Sequence, residues 1–576
     1  MPEFDVVVRG GTVIDGTGAP RRTADVAVRD GVITEVGRVA GRGRREVDAD
    51  GAVVAPGFVD IHTHYDGQAT WDSRLQPSSW HGVTSVVAGN CGVGFAPVTP
   101  AHHQRLIDLM EGIEDIPGTA LHEGLPWNWE SYEEYLDVLD RRRYDIDIAT
   151  QVPHAALRVH VMGERAVAGG PATEPDKREM AELAARGVAA GALGFTTSRT
   201  LNHKSVEGEL TPSYDAGLDE LVEIAAAVGA TGRGVLQLVT DFIDIDTDLD
   251  VMRAMVRASG RPLSVSVLQV HYDPAGYRTV LKRIAEANAD GLPIKAQVAA
   301  RGVGLVMGLE LTLHPFMTNP VWQELAHLPV EQQAARMARP EVKAAVLAAQ
   351  SREKPTVLIG GRLIDKFQVM YELTDPPTYE PDPRDALAAR AEREGRDPIE
   401  LAYDLLVSDN GHGLIYTFTS NWEDRSLDPV REMLAHPWSL PGLSDGGAHV
   451  GSICDGSFPT MLLEHWGRDR ATGTFDLEFL IQRQCRDTAA AVGLTDRGVL
   501  APGHRADLNI LDMAALRLRR PEVHHDLPGG GRRLLQRAEG YRHTFVRGVE
   551  TYADGVETGE LPGRLIRGPQ TVAAAG

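Results

Sequence analysis

His62 and His64 stand two positions apart in the run Gly57-Phe-Val-Asp-Ile-His-Thr-His64. On a strand that spacing puts both imidazoles on one face, where they can grip a single ion together. Two further ligand types follow apolar runs elsewhere. Cys91 comes after one in Ser85-Val-Val-Ala-Gly-Asn-Cys-Gly-Val93, and Asp445 ends another in Leu440-Pro-Gly-Leu-Ser-Asp-Gly-Gly-Ala-His449. Two histidines, a cysteine and an aspartate at three strand ends form a zinc ligand set. Cys91 also fits a small buried hydrophobe, and Asp445 a turn residue before Gly446-Gly447.

Such residues need a scaffold, and the middle of the chain supplies a pattern for one. Apolar strand candidates run from Thr84 to Ala88, Ile146 to Val152, Ala192 to Thr196, Val235 to Val239, Leu263 to Leu268, Pro293 to Ala299 and Pro441 to Asp445. Helical stretches such as Asp176 to Ala190 and Leu218 to Val228 lie between many of them. Repeated about eight times, this alternation is that of a (β/α)8 TIM-like barrel, whose active site lies at the C-terminal strand ends. The predicted fold class is therefore α/β. Ala52-Val-Val-Ala-Pro-Gly-Phe58 reads as a strand and Pro-Gly turn leading into the barrel. Short strands punctuated by Gly10-Gly11, Asp15-Gly16 and Asp30-Gly31, and a similar style near the C-terminus, predict a small composite β-sandwich from residues 1–56 and 497–576. The barrel spans 57–496, with a Pro-rich insertion at about 310–415 near its mouth.

Composition sets limits on this picture. A chain of 576 residues exceeds one ordinary core. With 58 basic against 81 acidic residues the formal charge is -23, which argues against nucleic-acid or anionic-membrane partners and leaves a small-molecule substrate. Three cysteines make no disulfide framework, and neither a leader pattern nor a bilayer-length apolar run is visible, so a cytoplasmic location is expected.

Taken together, these motifs resemble the amidohydrolase superfamily and, within it, the D-aminoacylase (N-acyl-D-amino-acid deacylase) branch. The resemblance rests on Val8-Arg-Gly-Gly-Thr-Val-Ile-Asp-Gly-Thr-Gly18, the Pro-Gly-Phe-Val-Asp-Ile-His-Thr-His run, Asn90-Cys-Gly-Val-Gly94, Ser444-Asp-Gly-Gly447 and Gly498-Val-Leu-Ala-Pro-Gly-His-Arg-Ala-Asp-Leu508. It implies zinc-assisted amide hydrolysis, in which a bound ion lowers the pKa of water from about 15.7 towards about 7. His62, His64, Cys91 and Asp445 would hold the metal, and Asp445 would move the proton. Arg199, just past the fourth strand candidate, suits a substrate carboxylate or a structural salt bridge. His449 suits substrate contact or a turn cap, and His154, ending the third candidate, a pocket residue. A homo-oligomer is also expected by resemblance.

One departure stands out. The family carries further histidine ligands at the ends of strands 5 and 6, whereas here the segments read Gly234-Val-Leu-Gln-Leu-Val-Thr-Asp-Phe242 and Pro262-Leu-Ser-Val-Ser-Val-Leu-Gln-Val-His-Tyr272. Gln237, Asp241, Gln269 and His271 are the polar residues near by, with His271 open to a shifted-ligand role but expected as a loop histidine. A single ion is the economical inference. Two alternatives remain: a scaffold recruited for cyclisation, dehydration or cyclic-amide hydrolysis, and a non-catalytic scaffold.

Overall fold

Val53–Pro56, buried at every position, joins the two ends of the chain. In the computed structural model, which describes residues 2–572 except 352 and 357, this strand pairs parallel with Phe4–Val13 and antiparallel with Leu508–Leu511. The resulting nine-stranded sheet draws on residues 4–56 and 508–557. Its core is aliphatic, with Val8, Val26, Val28, Ile33, Val54, Leu508 and Ile510 inaccessible.

Directly after that strand the barrel begins. Its parallel strands are β1 (Phe58–Asp60), β2 (Val83–Ala88), β3 (Asp147–Thr150), β4 (Gly194–Arg199), β5 (Val235–Thr240), β6 (Leu263–Ser266), β7 (Ile294–Val298) and β8 (Ser439–Pro441). All six residues of β2 are buried, as expected of a strand covered on both faces. β1 to β3 form one arc, and a second arc runs from Val152–Pro153 through β4 to β8. The backbone meets between them: Leu193 N–H donates to Thr150 O, and Asp445 N–H donates to His62 O. A parallel bridge pairs Thr63 with Gly446. Helices return the chain along the outside. Thr173, for instance, caps Glu174–Ala190 with a reciprocal bond pair involving Asp176.

The long excursion between β7 and β8 has its own apolar cluster, centred on Leu305, Met307, Phe316, Met337, Leu387, Tyr403 and Ile415. Its neck is an antiparallel pair, Val303–Met307 with Ile415–Ser420. No helix among the described residues is long and apolar enough to cross a membrane.

Three local expectations need correction. The last strand ends at Pro441 rather than reaching Asp445, because Leu443 and Asp445 turn into the left-handed region (φ 59° and 48°). Asp445 thus lies in the loop beyond the strand. The first strand likewise stops at Asp60, so His62 and His64 sit in the segment just past it. His154 ends no strand: it is the first residue of helix His154–Met162.

Candidate metal centre

The turn carrying Cys91 is pinned to the histidine segment by Asn90. The Asn90 side-chain amide donates to the carbonyls of Thr63 (3.1 Å) and Val87 (2.8 Å). Gly89 and Gly92 flank the turn at φ 80° and 69°, and a Cβ on Gly89 would lie 2.3 Å from Gln151 O. The Asn-Cys-Gly sequence is therefore fixed by a left-handed turn pressed against β3 and β4. Gly447 plays a similar part near Asp445, where a Cβ would lie 3.0 Å from His64 O. Ser444 donates to Asp60 (2.5 Å) and to His62 O (3.0 Å), locking the β8 loop to the end of β1.

These constraints bring four expected residues together. His62, His64 and Cys91 are buried, with ligand atoms all within 4.8 Å of one another. His62 Nε2 lies 3.3 Å from Cys91 Sγ and 3.3 Å from Asp445 Oδ1, and His64 Nε2 lies 3.6 Å from the same oxygen. Nitrogen and sulfur atoms at zinc-ligand distance from a tetrahedral ion lie about 3.3–3.7 Å apart. The separations fit such an ion, and the donor set is a zinc-type set. His62 is already oriented for it: Nδ1–H donates to Gln297 Oε1 at 2.6 Å, leaving the Nε2 lone pair inward. Gln297 is itself held by Ser264 at 2.8 Å.

The charge balance favours a cation. Burial pulls His62 below its ordinary pKa. For His64 the burial penalty is outweighed by the Glu114 and Asp445 carboxylates, and its pKa rises. Burial also opposes ionisation of Asp445, yet the imidazoles of His64, His62 and His449 beside it hold it well below the usual carboxylate range. Burial pushes the Cys91 thiol up to about 12, so thiolate forms there only beside a cation.

Of the three expected substrate contacts, the structure separates one from the other two. His154 is fully buried, with Nδ1 bonded to Thr197 Oγ1 (2.8 Å) and Nε2 to Glu220 Oε1 (2.8 Å). Glu220 also binds Arg158, so His154 belongs to a buried polar cluster and has no nitrogen left for a substrate. Arg199 is half-buried at the C-terminal end of β4 and donates to Ala216 O at 2.8 Å. Among the described residues no salt bridge to it is seen, so the salt-bridge alternative lacks a partner. His449 lies in the β8 loop, its side chain 16% exposed and Nε2 3.5 Å from Glu114 Oε2.

The residues near the missing ligands divide in the same way. Gln237 on β5 reaches the site, accepting the Cys91 N–H at 3.2 Å. Gln269 instead faces Asn421 and Asp424, Asp241 accepts from Thr200 and Leu201, and His271 is exposed. Sequence reasoning missed Gln297, Glu114 and His203. His203 bonds Ser198 Oγ at 2.8 Å, and burial lowers its pKa to about 3, with the charges of His449 and His64 acting in the same direction. A sequence signal existed only for Gln297, a polar residue inside the apolar run Pro293 to Ala299.

Known proteins share this architecture. The chain is 28% identical over 567 residues to the D-aminoacylase of Alcaligenes xylosoxydans xylosoxydans, spanning 98% of this chain and 97% of that one. It is 27% identical over 586 residues to N-acyl-D-glutamate deacylase of the same organism, spanning 100% and 98%. A solved D-aminoacylase, described as having a binuclear metal center with one-metal activation and second-metal attenuation, superposes with a TM-score of 0.65 at 25% identity, covering 98% of this chain and all of that one. The profile of the Amidohydrolase family matches residues 45–552, and the chain belongs to that family.

Proposed function

We propose that this chain hydrolyses the amide bond of an N-acylated D-amino acid, using one zinc ion. Metal-dependent hydrolysis of a C–N bond other than a peptide bond is the activity of its full-length relatives and of this enzyme. The observation that carries the finer reading is the buried trio His62, His64 and Cys91, with Asp445 Oδ1 within 3.6 Å of both inner ring nitrogens. Zinc bound there would supply a Lewis acid and make water acidic enough to ionise near neutral pH.

The chain's own groups account for the rest. Asp445 Oδ1 accepts the proton of the attacking water and returns it to the amine nitrogen as the C–N bond breaks. Its depressed pKa keeps it ionised. Arg199 offers a planar fork to the α-carboxylate of the substrate, and His449 lines the approach.

The test is amine release from N-acetyl amino acids of both hands by protein of known metal content. Release from the D form with about one zinc per chain is expected. Absence of both metal and amine release would overturn the proposal. Arg199→Met should raise KM about 10- to 100-fold for a carboxylated substrate, the worth of a hydrogen bond to a charged group. A carboxamide analogue should be indifferent to that change; equal losses on both substrates would remove Arg199 from carboxylate binding.

Gln237, which holds a backbone N–H on β5, where the family resemblance implies a ligand, favours a second reading. In it the same centre performs a cyclisation or opens a cyclic amide. Mass spectrometry of products separates the two, through loss rather than gain of water in the cyclising case.

A further inference from the structure

Glu114 ends helix α1 (His103–Glu114) and is 1% exposed. Its surroundings hold it in place. Asp115 turns left-handed (φ 49°) and accepts hydrogen bonds from Thr312 (2.9 Å) and Ser452 (2.8 Å). Gly112 packs against the backbone of 204–206, where a Cβ would lie 2.4 Å from Lys204 O. Glu114 O accepts the His449 N–H.

The carboxylate, by contrast, is poorly provided for. Oε1 has no hydrogen-bond partner among the described residues, and neither has His64 Nδ1, yet the two atoms lie 3.3 Å apart, within reach of a bond that a small rotation of ring or carboxylate would align. The second oxygen lies 3.5 Å from His449 Nε2. A buried carboxylate at a helix C-terminus is disfavoured by desolvation and by the helix dipole. Among the described residues, the imidazoles of His64 and His449 are the cationic partners within 4 Å of it. Metal-binding histidines almost always give their outer N–H to such a group, and His62 gives its own to the neutral Gln297.

We propose that Glu114 is a positioning residue of the metal centre. It takes the Nδ1–H of His64, which fixes the tautomer with Nε2 free to ligate, and ties the ring of His449 to the same ligand. The inference rests on the metal site described under the proposed function. It is not needed for that site to exist.

The experiment is zinc titration of the full chain against a chromophoric chelator, comparing the parent with Glu114→Gln. An affinity loss of about 10- to 100-fold is expected, with an altered visible spectrum of the cobalt-substituted protein. Unfolding of the metal-free proteins gives a separate measure of stability. A variant that melts earlier but binds zinc as tightly, with an unchanged cobalt spectrum, would overturn the proposal. Should Glu114→Gln not fold, Glu114→Asp keeps the charge but shortens the reach, and an affinity equal to the parent's would overturn it equally. A parent that takes up no zinc would defeat the proposed function itself, and this inference with it.

Discussion

Asp445→Asn is expected to lower kcat by about 10³-fold or more while the protein stays folded and keeps most of its metal. The substitution preserves size, and the amide oxygen can still face His62 Nε2 and His64 Nε2, which now lie 3.3 and 3.6 Å from Oδ1. The backbone is indifferent to it: the left-handed φ of 48° suits asparagine as well as aspartate, and Asp445 N–H still donates to His62 O. What disappears is the anion that accepts a proton and the only carboxylate within 4 Å of both inner ring nitrogens among the described residues. Kinetics and metal analysis on one preparation distinguish the outcomes. An Asn variant with substantial turnover would end the proton-transfer role, and one that loses its metal would make Asp445 chiefly a ligand.

The parts of this site that local sequence reveals are those whose geometry is itself local. Asn90-Cys-Gly92 and Ser444-Asp-Gly-Gly447 are recognisable because left-handed turns and close backbone approaches restrict which residues fit. The barrel is legible for a related reason, since β2 is a run buried on both faces and reads as largely apolar. What stays hidden depends on partners far away in the chain. Glu114 lies 50 positions beyond His64, on a helix where an acidic residue ordinarily meets water. His154 has the look of a pocket residue until Glu220, 66 positions later, takes its nitrogen. The end of β8 escapes detection because Gly442-Leu443-Ser444 continues the apolar pattern while the backbone turns away at Leu443.

Replacing His62 and His64 together by asparagine should remove the metal and take activity to background, a larger loss than any single change at the centre. Asparagine can keep part of the polar network, since its amide can still meet Gln297, but it presents no imidazole nitrogen to an ion. Cys91 and Asp445 alone would then face the ion, a two-ligand site too weak to compete with water. The fold has little reason to fail. The segment is held by backbone bonds from Thr63 N–H to Val87 O, from His64 N–H to Gly446 O and from Asp445 N–H to His62 O, none of which uses the rings. Chelation of the parent supplies the matching control, because it removes the ion without altering a side chain. Stripped parent should regain activity on adding zinc back, whereas the double variant should not respond at any zinc concentration the protein tolerates. If the double variant still carried one ion per chain and turned substrate over, the reaction would belong to another centre, and the convergence of His62, His64 and Cys91 would be structural. Loss of metal with retained structure would place the chemistry at the mouth of the barrel, between the ends of β1, β2 and β8.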